Sequence, residues 1–153
     1  MDARIFLISL CFLCVSSDYV IKKNCKEATP SLCSIHNVVV EPCLRGPRLC
    51  IVKPEKSYSI NVDFTPHFSA NGLKVAMYSD EKKTNSFETA IKTPADGCGL
   101  VACPLVAEER KNFDLQFTLA KMSPGKFPIK MKIYDEDDET RQCCFTFNVK
   151  IRK

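Results

Sequence analysis

Cysteine is the residue type in this chain with the most chemistry to offer, and there are 10 of them in 153 residues. In a reducing compartment such a count points to metal ligation or redox work; in an oxidising one it points to covalent staples. Six residues lie between Cys43 and Cys50 (C-x6-C), and four between Cys98 and Cys103 (C-x4-C). Neither spacing is half of a zinc site, and with only two histidines, His36 and His67, the chain is poor in other ligands. The acidic run Asp135–Glu139 lacks the D-x-D-x-D-G spacing of a calcium loop and reads as a charged hairpin turn. No G-x-S-x-G element and no Gly-rich phosphate loop occurs. The expectation is a protein that is not an enzyme and needs neither metal nor cofactor.

The N-terminus decides the compartment. A short polar lead is followed by an apolar run from Ile5 to Val15, then by Ser16 and Ser17. This is the pattern of a secretory signal peptide, residues 1–17, and the run is about half the ~20 residues a spanning helix requires. Cleavage there removes Cys11 and Cys14 and leaves eight cysteines. Eight can pair in 105 ways, and spacing alone does not choose among them. Residues 18–153 are expected to form a single domain without membrane insertion. The net charge of +4 is mild, and no basic stripe interleaved with aromatics suggests nucleic acid. No Asn-x-Ser/Thr acceptor is present.

The elements that must carry these cysteines show a period of two. Tyr58, Ile60, Val62 and Phe64 alternate with polar residues, and so do Phe113, Leu115, Phe117 and Leu119. The same holds for Phe127, Ile129, Met131 and Ile133, and for Phe145, Phe147, Val149 and Ile151. Strict alternation marks strands with one buried face. Weaker strands are predicted over 35–40, 73–78 and 86–91, with a turn at Asn71-Gly72. About seven antiparallel strands with such turns argue for a two-sheet sandwich. By alternation, adjacent Cys143 and Cys144 point to opposite faces of their strand, and Cys143 shares its face with Phe145 and Phe147.

Several stretches resemble the ML domain, the MD-2-related lipid-recognition family that includes Niemann-Pick type C2 proteins and group 2 mite allergens. They are Val38-Val-Val-Glu-Pro-Cys43 with Cys50, Tyr58–Thr65, Pro94-Ala-Asp-Gly-Cys98 with Cys103-Pro-Leu105, Ser123–Tyr134 and Cys144–Ile151. The D-G-C-x4-C-P element is the most specific, and the resemblance runs from Cys25 to Lys153. It is closest to arthropod Niemann-Pick C2-like and mite-allergen-like members.

The resemblance implies an immunoglobulin-like β-sandwich whose sheets hold a lipid. It implies the disulfides Cys25–Cys144, Cys43–Cys50 and Cys98–Cys103; Cys33 and Cys143 are additional here, and a fourth bond between them is the economical inference. The cavity wall is then expected from Ile60, Val62, Phe64, Val75, Met77, Phe87, Ile91, Leu115 and Phe117. The other sheet is expected to add Phe127, Ile129, Met131, Ile133, Phe145, Phe147 and Val149. Phe127, in its aromatic-Pro pair with Pro128, and Phe87 and Ile91 are assigned near the mouth. Lys121, Lys126, Lys130 and Lys132 offer either a solvated face or an anionic headgroup site. The implied function is a secreted monomer that binds or transfers a sterol, fatty acid or phospholipid, in the extracellular fluid or the lysosomal lumen. The alternative is a lipid-loaded accessory protein docking on a receptor ectodomain in innate immunity.

Overall fold

The computed structural model describes residues 19–43 and 49–152; the expected signal peptide lies outside them. Nine strands follow in order, with one 3-10 turn at Pro30–Leu32 and no α-helix among the described residues. They are β1 (Lys22–Asn24), β2 (Cys33–Glu41), β3 (Cys50–Val52), β4 (Ser57–Pro66) and β5 (Leu73–Ser79), then β6 (Thr89–Asp96), β7 (Lys111–Thr118), β8 (Gly125–Asp135) and β9 (Gln142–Ile151). One sheet runs β2-β4-β7. The other runs β1-β9-β8-β5-β6, with β3 added along β9.

The four strongly alternating segments are the long strands β4, β7, β8 and β9, and their apolar residues are the buried ones. They fall into register across each sheet: Ile60 faces Leu115 and Val62 faces Phe113 in one, while Ile129 faces Phe147 and Met131 faces Phe145 in the other. Matched apolar rows on two inner faces produce one contiguous core between the sheets.

Three expectations are corrected. The described residues form nine strands where about seven were expected, because β1 and β3 are three-residue strands, too short to show a period. The pairing is not wholly antiparallel, because β3 runs parallel to β9. The strand expected over 86–91 begins instead at Thr89. Its predecessor is a loop organised by the buried Asp80 carboxylate, which accepts bonds from the backbone N–H of Thr84 (3.0 Å) and Asn85 (2.6 Å).

The three cysteine pairs that the resemblance implied form, and so does the fourth inferred beside them, Cys33–Cys143. Their Cα–Cα separations of 5.2–5.4 Å suit disulfides. Cys143 belongs to the core cluster, whereas its neighbour Cys144 does not. The strand alternation thus separates the two bonds onto opposite faces of β9.

Ion pairs decorate the outer faces. Arg110 donates to both carboxylate oxygens of Asp63, at 2.8 and 2.5 Å, and this holds the Asp63 carboxyl below its ordinary 3.8. At Glu27 burial pushes the carboxyl up, but the bond from Lys130 and nearby positive charge outweigh it, and the net shift is downward. A carboxylate with a lowered folded-state value stabilises the fold above its unfolded value, and that contribution disappears as pH falls through the folded value. The melting temperature should therefore respond little to these two groups between pH 7 and 5, then fall below about pH 4. Asp63→Asn should flatten that acid limb in a pH series of thermal melts.

Candidate functional site

The inner faces of the two sheets are the candidate site. From the three-stranded sheet, Ile60, Val62, Phe64, Leu115 and Phe117 all point inward and are buried. From the other sheet come Val75, Met77, Phe127, Ile129, Met131, Ile133, Phe145, Phe147 and Val149, again all buried. Ile91 is only partly buried and packs against this cluster from β6.

Phe87 does not join them. Its ring lies 4.4 Å from the Nζ of Lys130, and Lys130 alternates with the inward Ile129 and Met131. The ring therefore covers the outer surface of the sheet. The reason is local: Lys83, Asn85 and Phe87 all adopt positive φ, so the loop turns away from the interior before β6 begins.

Other residues take part that were not assigned to the wall. Val38 and Val40 of β2, Tyr58 and Phe113 are buried in the same cluster, and alternation could have found each of them. Leu119, the last residue of the alternating row, joins it just past β7, and Phe68, Val101, Leu105 and Met122 join it from connections with no period to read. Tyr58 is the single hydroxyl-bearing side chain in the cluster. Its hydroxyl accepts from the Lys53 N–H at 2.6 Å and donates to the Lys53 carbonyl at 3.2 Å, at the rim.

The interior is thus chemically uniform. The buried polar side chains Ser79, Asp80, Asp135 and Gln142 sit at strand ends or just beyond them, away from the middle of either wall. Asp135 is held by Arg141 at 2.5 Å. The two histidines are occupied elsewhere, His36 with Thr65 at 2.8 Å and His67 with Ser34 at 2.9 Å and Glu108 at 2.8 Å. Among the described residues, one group has metal-ligand geometry, Cys25, Glu27 and Cys144, and its two sulfurs are spent on each other. Among the described residues the two inner walls are apolar. What they offer is the transfer of apolar surface out of water.

Two concavities mark the ends of the sandwich. One, of about 480 Å3, lies beside the start of β4, where Tyr58, Pro42 and Cys43 meet the outward-facing Glu41, Ser57, Ser59 and Gln116. The other, of about 350 Å3, lies at the opposite end between Ala70, Leu105, Asp135 and Arg141. Of the four lysines in question, Lys130 is bonded to Glu27 at 2.5 Å and Lys132 to Glu139 at 3.4 Å. Both belong to the outer face. Lys126 is exposed beside Lys150 on the neighbouring strand, and Lys121 is exposed in the β7–β8 connection.

The match to known proteins covers this whole sandwich. The ML domain model matches residues 20–151. An MD-2-related lipid-recognition protein of Manduca sexta is 30% identical over 152 residues, covering 97% of this chain and 96% of its own. The chain belongs to the ML family. Among solved structures, a Niemann-Pick type C2 protein from the Japanese carpenter ant superposes with a TM-score of 0.64 at 16% identity, over 86% of this chain and 99% of that one. Chicken MD-1, solved in complex with lipid IVa, superposes with a TM-score of 0.55 at 16% identity, over 88% of this chain and 96% of that one. At such identities the two structures show the shared fold. In this ML domain the inward residues of β4, β5, β7, β8 and β9 form the facing apolar walls of the sandwich.

Proposed function

We propose that this chain is a secreted, non-catalytic carrier that holds one lipid molecule between its two sheets. The observation that carries the reading is the continuity of the apolar interior, two facing walls of Phe, Ile, Val, Leu and Met, in a chain of the ML family. Each methylene that moves from water into such a space contributes about 0.8 kcal/mol, so one acyl chain or sterol is worth many such increments. The side chains of Met77 and Met131, side by side on β5 and β8, can re-pack to make room. Four disulfides suit an oxidising lumen or the extracellular fluid.

The test is native mass spectrometry of the purified secreted protein, before and after incubation with cholesterol, oleic acid and lysophosphatidylcholine. The expected result is one added lipid per chain for at least one of the three. A protein that copurifies with no lipid and takes up none of these would overturn the reading.

A further inference from the structure

The Cys33–Cys143 bond differs from the other long-range staple in where it lies. Cys33 opens β2 in the three-stranded sheet, and Cys143 lies at the start of β9 in the other sheet. Both are in the core cluster, with Cys143 fully buried and Cys33 8% exposed. The bond therefore runs through the space between the sheets. Cys25–Cys144, one residue away on β9, lies outside the cluster.

The registers fix which end of the sandwich this is. Cys33 is opposite Pro66 at the end of β4, and Cys143 is opposite Ile133 near the end of β8. The same end is capped by buried Phe68, Val101 and Leu105, where the Ala70 and Leu105 backbones bond to each other at 3.1 and 2.8 Å. The opposite end, where β4 begins and β7 finishes, is covered on the β7 side by Leu119 and Met122. Those side chains can rotate out of a ligand's path. A covalent bridge between two strands cannot.

Resting on the carrier reading, we propose that the Cys33–Cys143 bridge is the floor of the apolar slot and sets the longest chain that the protein accommodates. A chain entering from the Leu119–Met122 end gains buried methylenes until its tip meets the bridge, and further carbons must stay in water. Affinity then rises about fourfold per added methylene up to a limit and stops rising beyond it.

The experiment is competition of saturated fatty acids from C10 to C22 against a fluorescent fatty acid. It compares the wild-type protein, Cys33→Ala/Cys143→Ala and Cys25→Ala/Cys144→Ala. The wild type should show a break in the series. Removing the inner bridge should move the break to longer chains by roughly two carbons or more. Removing the outer bridge loosens the same termini without touching the interior, and should leave the break in place. Thermal melts of both variants report whether each is folded. A wild-type series with no break, an inner-bridge variant with the wild-type break, or an equal shift in both variants would each overturn the proposal. Wild-type protein that binds no member of the series, nor cholesterol or lysophosphatidylcholine, would instead remove the carrier reading beneath it.

Discussion

Phe147→Ala should lower the melting temperature of the ligand-free protein by roughly 10–20 °C, corresponding to about 3–5 kcal/mol. Phe147 lies near the middle of β9, flanked by β1 through Lys22 and by β8 through Ile129. Its ring is 1% exposed and stands 6.2 Å from that of Phe145. Truncation removes the transfer free energy of the ring and leaves a void that the paired strands on either side prevent from collapsing. A site that is only core behaves the same with or without lipid. A site that is also a ligand wall does not, because bound lipid occupies the void and stabilises the folded state by mass action. The deficit should therefore be smaller in the lipid-loaded protein, as read by paired scanning calorimetry. Equal deficits in both forms would place the ligand away from Phe147. Phe147→Asp is a poorer probe: a carboxylate at this depth has no partner, and the expected result is loss of secretion.

The inner faces of β4, β7, β8 and β9 could be read from the sequence because a half-buried strand must repeat every two residues, and the walls consist of those repeats. Alternation also separated Cys143 from Cys144. Pairing of the cysteines was another matter. Spacing left 105 possibilities open, and only the resemblance to the ML domain reduced them. The elements that escaped share a physical cause. β1 and β3 have three residues each and exist because β9 offers them an unpaired edge, so tertiary contact creates them and local pattern does not. Phe87 is an aromatic residue in a polar loop, and nothing in its neighbours reveals that the loop turns outward over Lys130. Phe68, Val101 and Leu105 close one end from connections, where no periodicity exists to mark the buried side.

The largest effect on stability should come from losing Cys25–Cys144 and Cys33–Cys143 together, and it should exceed the sum of the two single losses. The bonds close nested loops with sequence separations of 119 and 110. In the chain-entropy account, whichever bond forms first constrains more than a hundred residues and is worth about 4.8 kcal/mol. The second then closes only the short circuit through residues 25–33 and 143–144, worth about 2.6 kcal/mol. Either double-alanine variant keeps one bond, so each should lose about 2.6 kcal/mol and remain folded. The four-alanine variant loses both, about 7.4 kcal/mol, which matches or exceeds the whole stability of many domains of this size. Urea melts of the two double variants should show modest shifts in midpoint, while the four-alanine protein should be unfolded or not secreted. Native packing at either site would produce additive losses, because each pair of sulfurs contacts different neighbours, one inside the sandwich and one outside. Excess loss in the combined variant is therefore the signature of the shared loop.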